Sequence, residues 1–152
     1  MKRVLSILLC VAMILSMGLV VFAAGETSAT ISFADKANRT VFTTSQQVWE
    51  QNGITVTNDK ASSTSNVADY AAPARFYKSS KLTVEYAGMT SIEFNCNSTS
   101  YATALKSSIS GHTVAVNGKI VLVTFASPVD SFVIASLTGG QVRMNSLIVY
   151  AQ

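Results

Sequence analysis

From Thr27 to the end of the chain the side chains alternate with a period of two, in short runs rich in Val, Ile, Thr, Phe and Tyr separated by clusters of Gly, Asn, Asp and Ser. Such alternation gives an extended strand one apolar face and one polar face, whereas an amphipathic helix would repeat every 3.6 residues. The runs predict strands at 29–34, 39–43, 54–58, 75–77, 81–86, 91–96, 113–116, 119–126, 131–136 and 141–150. That many short strands exceed what one open sheet of this length holds. The expected class is therefore all-β, as a two-sheet antiparallel β-sandwich of jelly-roll type.

The punctuation fits this reading. Asn117-Gly118, between Val114-x-Val116 and Ile120-x-Leu122, predicts a hairpin with a type I′ turn, because both residues tolerate positive φ. Gly139-Gly140 and Asn52-Gly53 mark two further turns. Two stretches break the alternation and predict one or two short helical turns: 45–51, with Ser45 as N-cap and Gly53 as stop, and 101–109, where Ala102, Leu105 and Ile109 have helical spacing. In the last strand the inward parity of Val142 and Met144 passes to Leu147 and Val149, which requires a bulge near Asn145 and Ser146. That strand is expected to pair with the first one. Residues 58–72 form a long polar loop without apolar periodicity, and such loops in compact domains are more often functional than accidental.

The amino-terminal residues are of another kind. Lys2 and Arg3 precede an almost unbroken apolar run from Val4 to Phe22, followed by Val21-Phe22-Ala23-Ala24 with the small residues of a cleavage site. Residues 1–23 are expected to be a secretory signal peptide, cut after Ala23 or Ala24, leaving residues 24–152 as a single β-sandwich domain outside the cell. The run is long enough to span a bilayer, but the Val-x-Ala ending followed by Gly25 and polar residues favours cleavage over a retained anchor, so no membrane association is expected after processing. Losing Lys2 and Arg3 leaves nine basic against eight acidic residues and lowers the net charge from +3 to +1. A near-neutral chain lacks the Lys/Arg excess on which phosphate binding depends, which disfavours nucleic acid as a partner. Cys10 leaves with the leader, so Cys96 stands alone and core packing without a disulfide must hold the fold. Cys96 shares a strand face with Ile92 and Phe94, where it acts as a small hydrophobe.

The stretches Gly53-Ile54-Thr55-Val56-Thr57, Asn66-Val67-Ala68-Asp69-Tyr70, Pro73-Ala74-Arg75-Phe76-Tyr77-Lys78, Lys81-Leu82-Thr83-Val84 and Ile92-Glu93-Phe94, with the closing Gly140-Gln141-Val142-Arg143-Met144-Asn145-Ser146-Leu147, resemble a group of small accessory domains in secreted proteins of gut and anaerobic bacteria. The resemblance implies a jelly-roll β-sandwich of the carbohydrate-binding-module kind, attached in those proteins to larger extracellular chains, including polysaccharide-degrading and cell-surface ones. It implies fold more firmly than function.

Catalytic chemistry has few parts to work with. His112, at a turn before a strand, is the single histidine, and a nucleophile needs a base held beside it. One His and one Cys do not make a zinc set, and no phosphate loop or dinucleotide fingerprint is present. Glu50, Asp69, Glu85, Glu93 and Asp130 include no pair marked for glycoside cleavage. No enzyme is expected. No cofactor is expected either: the oxygen-rich segment 58–69 admits a structural calcium, yet it lacks the spacing of a known calcium loop and has few carboxylates.

Binding residues are better represented. Arg75 and Tyr77 share one face of their strand, beside the loop that carries Asn66, Asp69 and Tyr70. Sugars are recognised by aromatic faces that stack on C–H surfaces and by planar polar groups that form paired hydrogen bonds, which is what Tyr, Trp, Arg, Asn and Asp supply. These residues and Trp49 form the candidate ligand-binding set. Each has a plainer role beside it. Arg75 would pin the loop by pairing with Asp69 or Glu85, Tyr70 and Tyr77 would cap the core, and Trp49 would seal the end of the sandwich, the ordinary fate of a lone tryptophan beside Val48. Tyr101 offers a second patch, and Arg143, between Gln141 and Asn145, is an exposed strand residue or a polar platform. The expected ligand is a polysaccharide or other glycan; the alternative is an extracellular protein bound by sheet edges or an apolar patch in an adhesion or surface-matrix role.

Overall fold

The computed structural model describes residues 26–152. The expected signal peptide at 1–23, its cleavage site and Cys10 lie outside the described residues. Nine strands follow in chain order: β1 (Thr27–Ser32), β2 (Arg39–Phe42), β3 (Gln46–Gln51), β4 (Ile54–Asp59), β5 (Ala74–Phe76), β6 (Lys81–Cys96), β7 (Thr113–Asn117), β8 (Ile120–Ile134) and β9 (Val142–Ala151). A 3-10 turn at Lys36–Asn38 precedes β2, and helix α1 (Thr99–Ser107) joins β6 to β7. All the strands belong to one antiparallel sheet, which curls into a half-barrel. The chain is thus mostly β, as the alternation predicts.

Two long strands produce the curl. β8 accompanies β6 on one flank along most of its length, while on the other flank β4 pairs with the first part of β6 and β9 with the last part. The alternation predicts two strands in each place because the inward parity breaks midway. In β6 the buried set passes from Leu82 and Val84 to Met89 and Ser91, of opposite parity, and back to Ile92, Phe94 and Cys96. In β8 the buried set passes from Val121, Val123 and Phe125 to Phe132 and Ile134. Register shifts flank Met89, and the ladder jumps from Met89↔Val129 to Ser91↔Thr124, which leaves residues 125–128 bulged out of β8. A bulge bends a strand and sharpens its twist, so each long strand serves both halves of the sheet without a chain break. Pro128 lies in this bulge, where its missing N–H costs no ladder bond.

The curl brings β1 over the β3–β4 hairpin, although these elements are not sheet neighbours. Phe33, just after β1, meets Trp49 edge-on with ring centroids 5.4 Å apart and Phe76 at 6.0 Å. The rim is tied by polar bonds: Ser32 N–H donates to Gln51 Oε1 at 2.8 Å and Asn52 Nδ2 donates to the Thr30 carbonyl at 2.9 Å. The open edge of β1 is partly covered in this way. Helix α1 begins at Ser98, whose hydroxyl accepts from Tyr101 N–H, and it buries Ala102 and Leu105 against the core. Gly139 packs so closely on this helix that a Cβ there would lie 2.7 Å from the Ala104 backbone.

The turns hold one confirmation and two corrections. Asn52 and Gly53, at φ 53° and 80°, form the two-residue turn between Gln51 and Ile54, as a type I′ hairpin demands. The β7–β8 hairpin exists as predicted, but Asn117 pairs with Ile120 and only Gly118 has positive φ, so the turn consists of Gly118 and Lys119, with glycine in the first position. Residues 46–51 are strand β3, not a helical turn. The reason is parity: Gln47 and Trp49 both point into the core, and the buried amide of Gln47 hides the alternation from a hydropathy reading. The bulge in β9 falls at Asn145, between Asn95↔Ser146 and Cys96↔Met144, and β1 pairs along its whole length with residues 146–151 of β9.

Candidate functional site

The short strand β5 sets the geometry. Its alternation sends Ala74 and Phe76 into the core and Arg75 outward, and on β9 Val142 and Met144 point inward while Arg143 points outward. Pairing of β5 with β9 puts Arg75 directly opposite Arg143. Each guanidinium rests on its own tyrosine. Arg75 Cζ lies 3.5 Å from the centre of the Tyr70 ring, and Arg143 Cζ lies 5.4 Å from that of Tyr101 at the start of α1. Arg143 Nε also donates to Gln141 Oε1 at 3.0 Å. Tyr70 keeps 43% of its surface exposed, so the guanidinium braces one ring face and the other meets solvent.

The loop that carries Tyr70 is anchored independently of Arg75. Asp69 Oδ1 accepts from Arg39 Nη1 at 2.6 Å and from Lys36 Nζ at 3.3 Å. These bonds, Arg39 first, hold the Asp69 carboxyl below its ordinary pKa. Arg39 in turn lies over the rings of Phe42 and Trp49, at 4.5 and 5.7 Å. Val67 is buried, and its N–H donates to the Thr44 carbonyl at 2.8 Å. Lys60 is fastened to the Ser45 carbonyl by its N–H and to Asn66 Oδ1 by its Nζ, at 2.7 and 2.9 Å.

The predicted ligand-binding residues therefore divide. Tyr70 and Arg75 form one unit at the surface. Asp69 and Asn66 belong to the anchoring of the loop, and the expected Asp69–Arg75 pair is replaced by Asp69–Arg39. Tyr77, half-buried just past β5, accepts through its carbonyl from the N–H and hydroxyl of Ser80, which turns the chain toward β6. Trp49 is fully buried and presents no ring face to a ligand, in keeping with its core-sealing role. The oxygens of segment 58–69 face separate partners as well: Asp59 accepts from Ala61 N–H, Asn66 from Lys60, and Asp69 from Arg39 and Lys36. Oxygens turned to different donors do not form a calcium cage, and the segment does not fit that ion.

Two features escaped the sequence reading. Gln47 and Asn58 are buried and directly opposite each other on β3 and β4. Asn58 Nδ2 donates to the Arg75 carbonyl at 3.2 Å, but Asn58 Oδ1, both polar atoms of the Gln47 amide, Trp49 Nε1 and Arg75 Nε have no hydrogen-bond partner among the described residues. A polar seam of this kind beneath the Tyr70–Arg75 surface opposes tight closure of the core, since an unmatched buried polar atom costs about 1–3 kcal/mol. No hydropathy pattern could have marked it. Arg39 was the second omission; its role depends on which carboxylate the long loop delivers to it.

A depression of about 540 Å³ lies elsewhere, beside the β8 bulge, lined by His112, Thr113, Thr124, Phe125, Ser127 and Val129. His112 is exposed and meets Phe125 and Phe132 edge-on, at 5.3 and 5.5 Å. Cys96 is buried, which pushes its thiol up to about 12 and keeps it in the unreactive protonated form at neutral pH. No family model, curated protein or solved structure matches the chain.

Proposed function

We propose that the chain is an exported, non-catalytic binding module whose ligand is a glycan, with the two halves of its curled sheet acting as the layers of a jelly-roll-like sandwich that share β6 and β8. The single observation that carries this reading is Tyr70. Its ring is braced on one side by Arg75 at 3.5 Å, stands on an anchored loop, and is 43% exposed on a face with planar polar side chains. A sugar ring stacks by its C–H face on such a surface, and little side-chain entropy remains to be lost because the tyrosine is already fixed. Export rests on the leader at residues 1–23.

Binding of the full chain to a panel of immobilised polysaccharides tests the proposal. Tyr70→Ala is expected to abolish retention with the melting temperature unchanged. Retention unaltered by that substitution, or no retention of the wild-type chain on any polysaccharide, overturns it. The alternative, a protein-interaction domain, draws on the edge strand β2, where Val41 and Phe42 are 38% and 41% exposed. A partner bound there would be lost in Phe42→Ser and retained in Tyr70→Ala.

A further inference from the structure

Resting on that reading of the Tyr70 face, we infer that the glycan is acidic, bearing carboxylate or sulfate groups held between Arg75 and Arg143. The two arginines are cross-strand partners on the outer face of β5 and β9. Directly opposed side chains have Cβ atoms about 5 Å apart, and like charges so placed repel. A carboxylate from the protein would ordinarily neutralise such a pair. Here the ion pairs among the described residues are Lys36–Asp69 and Arg39–Asp69, so neither Arg75 nor Arg143 has one.

What each guanidinium has instead is a tyrosine ring, which attracts a cation and orients its plane but carries no net charge. Among the described residues the side chain of Arg75 donates no hydrogen bond, and its Nε is buried without a partner there. Arg143 spends only its Nε, on Gln141. Two oriented, uncompensated forks beside a stacking surface are complementary to an anionic group on a sugar: the ring lies against Tyr70 and the acid accepts paired hydrogen bonds. The chain without its leader has a net charge of only +1, so general attraction to polyanions is weak and affinity must come from this local pair.

Isothermal titration of the full chain with polygalacturonate, its methyl ester, dextran and dextran sulfate tests the inference. Polygalacturonate is expected to bind at least about tenfold more tightly than the neutral ester. Arg75→Gln and Arg143→Gln are each expected to weaken binding about tenfold with circular dichroism and melting unchanged, and Lys119→Gln, which removes an exposed charge at the β7–β8 turn, to have no effect. Raising NaCl from about 0.05 to about 0.5 M should weaken the wild type and affect the arginine variants less. Tight binding of dextran sulfate but not dextran identifies sulfate as the group recognised, and tight binding of polygalacturonate identifies carboxylate. Equal affinity for ester and acid with Arg143→Gln silent, or equal weakening by Lys119→Gln, overturns the acidic ligand while leaving a neutral-glycan module standing. Failure to bind any polysaccharide, acidic or neutral, overturns both.

Discussion

Arg39 and Arg75 lie on either side of the same loop, and they have opposite fates. Arg39 has its carboxylate, at 2.6 Å, and it covers Phe42 and Trp49 with a side chain only 11% exposed. Arg75 has a tyrosine and faces a second arginine. The first arrangement satisfies charge and packing together, as a structural joint must. The second leaves charge unmet on an ordered aromatic face, the feature on which the proposed glycan binding rests. Side-chain type does not separate the two sites; the destination of one carboxylate does.

The strongest way to break this contrast is to remove the joint. Arg39→Ala deletes the ion pair and the cover over two rings, and it should cost about 1–2 kcal/mol of stability in urea unfolding. No change in the unfolding midpoint would show that Arg39 is not a joint.

Acid provides a milder test. The Asp69 carboxyl is held below its ordinary pKa by Arg39 and then Lys36, so its contribution is fully present above the unfolded-state value near 3.9 and is lost only as pH falls through the lower folded value. The Val67 amide, which the anchored loop protects, should therefore keep its slow hydrogen exchange through the ordinary carboxylate range and lose it only at more acidic pH. Asp69→Asn should remove that acid dependence. Titration of the Asp69 carboxyl at or above 3.9, followed by NMR, would refute the joint from the other side.

The smallest effect is expected at Arg75. Arg75→Gln loses the stacking on Tyr70 but relieves an unmatched buried Nε and a like-charge pair, so unfolding stability should stay within about 0.5 kcal/mol of the wild type. A loss well beyond that would make Arg75 a second joint and weaken its case as a binding residue.

Much of the fold is legible before any coordinate is consulted. The strand runs, the Asn52-Gly53 turn, the β9 bulge and the short helix, expected at 101–109 and found at Thr99–Ser107, follow from parity, turn chemistry and helical spacing, which are local properties. The misreadings share one cause. The alternation reads residues 45–51 as a helical turn because Gln47 is polar yet buried, and it divides β6 and β8 because their inward parity is interrupted at a bulge; both depend on what packs above a residue rather than on the residue. The site was half legible. Tyr70 and Arg75 are neighbours in sequence and point to one another, and Arg143 and Tyr101 each stand out alone, but nothing local joins residues so far apart along the chain.

The sequence by itself determined that the chain is β, where most of its strands turn, and that Arg75 and Arg143 each point away from the core, because period-two alternation is enough to specify a face. Only the tertiary structure decided that the long strands bend to share one curled sheet, that Asp69 goes to Arg39, and that the two outward arginines stand side by side. Pairing between distant strands and the path of a long loop are set by packing over the whole core, and no single segment carries that information.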